Sequence, residues 1–243
     1  DAMLFPIILL DQPEDDDWRG NIAPASLDQW FEHYAMVIDH YATIAEEEKA
    51  EWLSVGSEFS SLEKHSVRWI EIIESARETF SGSLIYSANW DHLHGPEGWW
   101  DRLDAIGCSS YYELAKTNDA SAEELNAAWR GWRDSLLDWR ENAGLDLPVV
   151  FTEVGYPSMD GAAVYPWDYT LDNPADFREQ RLCYEAFVAA WDGHPAVDGV
   201  YFYKWLGFDA DPDITYSPRG KPAEFVIRAR FGAENAEPVA LDK

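Results

Sequence analysis

Apolar residues fall into two alternating patterns along the chain. Compact apolar runs bounded by Gly, Pro or Asp stand at Met3–Leu10, Trp52–Phe59, Gly82–Trp90, Ala105–Tyr112, Leu147–Tyr156 and Val197–Trp205. Runs of this kind suit parallel strands buried on both faces. Between them apolar residues recur at helical spacing. Ser26 and Gln29 have capping-box spacing ahead of a helix that carries Trp30, Phe31, Tyr34, Val37, Ile38 and Tyr41. Ser121 and Glu124 repeat the signal before Leu125, Trp129, Trp132, Leu136 and Trp139. Asn173 followed by Pro174 reads as a cap and first-turn proline, opening a helix through Phe177, Leu182, Phe187 and Trp191. Similar stripes run over Leu62–Phe80 and Ala223–Phe231. These stripes are read as helix-to-sheet packing.

The alternation is βα throughout, with no repeat, linker or low-complexity tract, so residues 1–243 are expected to form a single domain. Such a pattern means a parallel barrel or an open doubly wound sheet. No Gly-rich phosphate loop follows any strand, which argues against a nucleotide-binding domain.

Charge narrows the partners. Lys and Arg number 18 against 46 Asp and Glu, a formal net charge of −28. Such a surface repels nucleic acid, anionic membranes and acidic polysaccharides, leaving a neutral glycan as the compatible polymer. It also suits high salt, where self-repulsion is screened, so a halophilic origin is expected, the alternative being simply an acidic, soluble marine or soil protein. The 13 Trp exceed what packing comfortably explains, and aromatic faces are natural platforms for sugar rings. Cys108 and Cys183, in a predicted strand and helix with apolar surroundings, read as buried thiols. No stretch is long and apolar enough for a membrane span, and Met3–Leu10 lacks the form of a signal peptide, so the compartment is open.

The chemistry is expected at two carboxylates. Glu58 and Glu153 each stand near the end of a strand-like run, inside apolar sequence where an unpaired charge is costly. Carboxyl ends of parallel strands are where such folds place their sites. Two carboxylates facing each other meet the requirement of glycoside hydrolysis, one as acid, the other as nucleophile or base. No metal or other cofactor is expected. Asp91-His92-Leu93-His94 reads as a sugar-contacting or solvated loop, and Asp11–Asp17 and Asp209–Asp213 lack EF-hand spacing. Trp99 and Trp100 either cap the cleft or pack beneath it, and Tyr165-Pro166-Trp167 offers a sugar platform.

The spaced motifs Trp18-Arg19-Gly20, Val55-Gly56-Ser57-Glu58, Tyr86-Ser87-Ala88-Asn89-Trp90, Asp104 to Tyr112 and Phe151-Thr152-Glu153-Val154-Gly155-Tyr156 stand in order. They are followed by Gln180 with Cys183-Tyr184-Glu185-Ala186, then Gly199 to Trp205 and Gly220-Lys221-Pro222-Ala223. Together they resemble glycoside hydrolase family 113, β-mannanases of the large retaining clan of (β/α)8 barrels. The resemblance implies a TIM-barrel-like α/β fold and a retaining hydrolase of β-mannosidic linkages. It implies Glu58 as acid/base and Glu153 as nucleophile, their carboxyls roughly 5 Å apart. Tyr111 would hydrogen-bond the nucleophile and Trp205 would floor the sugar being cleaved, while Trp18, Asn89 and Trp90 would line neighbouring subsites.

Two departures from the family pattern stand out. Ser57 occupies the place where the clan has an Asn that binds the sugar 2-hydroxyl. Aligning the motifs also makes the first strand here the third of the family barrel, so the first two β/α units are lacking. A sheet left open in this way exposes two edges, which self-association or a rearrangement of the chain ends would cover. The chain is then either part of a longer barrel or a shortened form. The alternatives are a non-catalytic carbohydrate-binding relative and a retaining glycosidase for another neutral β-glycan.

Overall fold

The computed structural model of the protein describes residues 2–14, 17–96, 98–206 and 214–232. Six parallel strands are hydrogen-bonded in chain order: β1 (Met3–Leu4), β2 (Trp52–Ser57), β3 (Ser83–Asn89), β4 (Ala105–Ser109), β5 (Val149–Val154) and β6 (Val197–Phe202). The helices among the described residues are α1 (Leu27–Glu47), α2 (Ser66–Thr79), α3 (Ala122–Asn142), α4 (Phe177–Trp191) and α5 (Pro222–Arg230). The result is a TIM-barrel-like α/β fold short of the usual eight β/α units.

Each strand is shorter than its apolar run. Phe59, Tyr111, Tyr112 and Tyr156 lie past strand ends yet are buried, so their apolar character serves loop packing rather than sheet pairing. The run Met3–Leu10 yields only a two-residue strand, and Ile7 and Leu9 are exposed.

The chain packs as two compact units, one of Asp1–Ser109 with Leu145–Thr152, the other of Ser110–Gly144 with Glu153–Lys243. In the first, β1 through β4 pair in parallel and α1 and α2 bury aromatic stripes. Trp69 and Trp99 stack with ring centroids 5.2 Å apart, and Tyr86 meets both edge-on. The pairing of β2 with β3 is irregular. Ser54 faces Ile85 and Ser57 faces Ser87, so β2 advances one residue more than β3. This bulge carries Gly56, where a side-chain Cβ would stand 2.9 Å from the Tyr86 ring.

In the second unit α3, α4 and α5 surround a core of Trp129, Tyr156, Tyr184, Phe187 and Trp191. Trp129 donates its ring N–H to the Tyr156 hydroxyl at 2.9 Å. The capping box at Ser121 and Glu124 forms as expected at the start of α3. At α1 only half of the predicted box forms, with Ser26 Oγ accepting from the Gln29 amide. The expected start of α4 is corrected. Asn173 to Ala175 lies outside the helix, with Asn173 Nδ2 donating to the Asp160 carbonyl and Ala175 bridging to Met159, and Asp176 caps the helix instead. Cys108 and Cys183 are buried in β4 and α4.

Candidate active site

In the first unit the polar residues converge on Glu58. This residue directly follows β2 and its bulge, and its φ is +56°. A non-glycine residue in the left-handed region stores about 1 kcal/mol or more of backbone strain, and such residues cluster at functional sites. Two hydrogen bonds from β3 hold it. The Glu58 amide donates to the Ser87 carbonyl at 2.8 Å, and the next amide, Phe59, donates to the Tyr86 hydroxyl at 2.8 Å. The carboxyl is buried at 5% exposure. Arg19 Nη2 donates to Oε2, and Ser109 Oγ donates to Oε1 from the end of β4. A buried carboxylate is tolerable only when paired and hydrogen-bonded, and both conditions are met.

In the second unit Glu153, in β5, is buried at 7% exposure. The Tyr111 hydroxyl donates to its Oε2 at 2.6 Å. Ser110 donates to the Glu153 carbonyl from both its amide, at 2.7 Å, and its hydroxyl, at 2.8 Å. Tyr111 in turn packs edge-on against Tyr203 and Tyr216, and the Tyr216 hydroxyl donates to the Pro166 carbonyl at 2.7 Å. Gly155 makes this packing possible, since a Cβ there would stand 2.5 Å from the Tyr203 carbonyl oxygen. The two carboxyls therefore sit in different surroundings. Glu58 is held by a guanidinium and a hydroxyl, Glu153 by a phenol.

The other expected contact residues are placed as follows. Trp18 is 39% exposed, with its ring lying over Gly20 at the entry to a short 3-10 turn. Asn89 ends β3 and accepts from the Trp90 amide at 3.1 Å, and both residues are half-buried. Trp205 follows β6 and is 48% exposed. Trp99 and Trp100 are buried, donating to the Glu63 and Leu93 carbonyls, so they pack beneath the loop. The Trp excess thus divides among core residues, Trp69, Trp99, Trp100, Trp129 and Trp191, exposed Trp18, Trp167 and Trp205, and half-buried Trp30, Trp52, Trp90, Trp132 and Trp139.

Within the loop after β3, His92 is bonded to Glu63 at 2.5 Å. No group of three or more His, Cys, Asp or Glu side chains could hold a metal ion among the described residues. The acidic loop Asp209–Asp213 lies outside them, and Asp11–Asp17 does so in part. No helix among the described residues is long and apolar enough to cross a membrane.

Sequence reasoning missed Arg19 and Ser109 as partners of Glu58, although both lie inside the quoted motifs. In a chain so poor in cations, an arginine adjoining Trp18 was the available signal. Ser57 Oγ is buried without a hydrogen-bond partner, beside Glu58.

A buried carboxyl at a strand end of a TIM-barrel-like α/β fold, as at Glu58 and again at Glu153, is a feature that glycoside hydrolysis requires, and the family comparison gives the class. Residues 10–214 match Glycoside Hydrolase Family 113, and the chain belongs to that family. It is similar to the family 113 β-mannanase of Alicyclobacillus acidocaldarius in complex with ManMIm, with 29% identity, a TM-score of 0.76, and coverage of 88% of this chain and 68% of that one. A family 113 β-1,4-mannanase in complex is similar at 26% identity and TM-score 0.75, over 90% of this chain and 70% of that one. A β-glucuronidase of Ruminococcus gnavus, at 15% identity, TM-score 0.63 and coverage of 85% and 37%, shares the fold. No curated protein matches the sequence.

Proposed function

We propose that the protein hydrolyses β-mannosidic linkages of β-1,4-mannan or manno-oligosaccharides with retention of configuration. Glu58 serves as acid/base and Glu153 as nucleophile. The observation that carries this reading is the contrast between two buried strand-end carboxyls, with the Tyr111 phenol bonded to the one assigned as nucleophile. A phenol donor stabilises the carboxylate form that a nucleophile needs. In the first step Glu153 attacks the anomeric carbon while Glu58 gives its proton to the departing oxygen. In the second, Glu58 takes a proton from water, which displaces Glu153 and regenerates both groups. Trp205 supplies the floor for the sugar, and Trp18, Asn89 and Trp90 hold the neighbouring units. The β-mannanase activity of two family members of more than 25% identity supports the choice of sugar.

The test is product formation from β-1,4-manno-oligosaccharides beside a Glu153→Gln variant. The parent should release mannose or mannobiose, first as the β anomer. The variant should keep its fold and lose about 10³-fold or more in kcat. Full activity in the variant would remove the assignment. A second reading, glycan binding without turnover, draws on Ser57, whose buried hydroxyl stands where the clan places an Asn. Binding unchanged by either Glu substitution, with no product, would establish it.

A further inference from the structure

Behind Glu58 lies a buried polar chain that the proposed chemistry does not use. The Tyr86 hydroxyl donates to Glu63 Oε1 at 2.6 Å while accepting from the Phe59 amide at 2.8 Å. Glu63 Oε2 lies 2.5 Å from His92 Nδ1. The Glu63 side chain is fully buried, whereas that of His92 is 34% exposed. Tyr86, on β3, is fully buried among Trp69, Trp99 and Trp100. The Glu63 carbonyl accepts from the Trp99 ring and its amide donates to the Phe59 carbonyl. His92 fixes the loop at its other end, its amide donating to Asn89 and its carbonyl accepting from Gly95. Gly95 lets the two side chains meet, because a Cβ there would fall 1.8 Å from Glu63 Oε2 and force the pair to shift.

Burying a carboxyl in an aromatic core is costly, and burial does raise the Glu63 pKa, against the opposing pull of Tyr86 and His92. An apolar residue would pack the same space at lower cost. What the polar chain adds is direction. Its ends are the amide next to the left-handed Glu58 and the loop bearing Asn89 and Trp90.

We propose that Tyr86, Glu63 and His92 form a positioning relay that fixes the turn presenting the Glu58 carboxyl and couples it to the Asn89–Trp90 loop. The inference rests on the reading of Glu58 as acid/base, and the experiment separates the two. Misplacing an acid harms substrates whose leaving group needs a proton and spares those whose leaving group departs as an anion. General destabilisation harms both alike. The measurement is kcat/KM for a manno-oligosaccharide and for 2,4-dinitrophenyl β-mannoside, in the parent, Glu58→Gln, Tyr86→Phe and His92→Gln, with folding checked by circular dichroism.

Glu58→Gln should lose about 100-fold or more on the oligosaccharide and little on the activated glycoside. Tyr86→Phe should show the same selectivity at about 10-fold or more. His92→Gln, at a partly exposed position, should raise KM for the oligosaccharide about threefold or more with kcat near that of the parent. Equal losses on both substrates in Tyr86→Phe, beside a selective Glu58→Gln, overturn the relay and leave the acid/base reading standing. An unselective Glu58→Gln overturns both. An unchanged KM in His92→Gln removes the coupling to the loop and overturns the relay as stated.

Discussion

Glu179 shows how a single carboxyl organises a loop. Buried in α4, it accepts from the Gly161 amide at 2.8 Å and the Ala163 amide at 2.9 Å, stapling the segment that follows β5. Burial raises its pKa above 4.5, and the two amide donors pull the other way. A carboxyl raised in the folded state contributes stability that is complete below its unfolded pKa and is lost as pH rises through the folded value. The difference in Tm between the parent and Glu179→Gln should therefore fall as pH is raised from the ordinary carboxylate range toward neutrality. A constant difference across that range would show that the group does not titrate in this way. The buried strand-end positions of Glu58 and Glu153 were legible in the sequence, because each stands in a strand-like motif. Arg19, Glu63, Tyr86 and His92 were not assigned, because their roles arise from hydrogen bonds between distant positions that no local pattern encodes.

At the scale of elements, periodicity located the strands and α-helices of the described residues but overran the strand ends and left the two short 3-10 turns unmarked. Aromatic residues such as Tyr111 and Tyr156 extend the apolar pattern past the last ladder bond, since a buried loop needs the same side chains as a strand. The β2 bulge is likewise invisible to alternation, as one extra residue leaves no mark in a run buried on both faces. Caps divide by context. The Ser121 box is local and formed, with Ser121 donating its amide to Glu124 Oε2 at 2.8 Å. The Asn173-Pro174 signal lost to pairing with Met159 and Asp160. Ser121→Ala should cost about 1 kcal/mol, read as an earlier midpoint in urea unfolding with unchanged slope. No change would mean that α3 is held by its Trp129 face alone.

For the whole molecule the dominant quantity is the net charge of −28. Surface ion pairs such as Arg68 with Glu71 and Arg181 with Glu185 offset little of it, because exposed pairs are worth only about 0–1 kcal/mol. Raising NaCl from about 0.05 M to about 1 M shortens the screening length from well above 10 Å to roughly 3 Å, so Tm should rise by several degrees. A flat or falling Tm would place the acidity outside any role in salt tolerance. Net charge and fold class were both readable from the sequence, because each is a sum over many residues.

The left-handed backbone at Glu58 sets the fold and the carboxyl against each other. Glycine would relieve that conformation and remove a buried acid in one step. On the proposed reading of Glu58 as acid/base, a laboratory selection for heat resistance alone would therefore drift toward inert variants at this codon, so a thermostabilising campaign on this scaffold has to screen for turnover alongside survival.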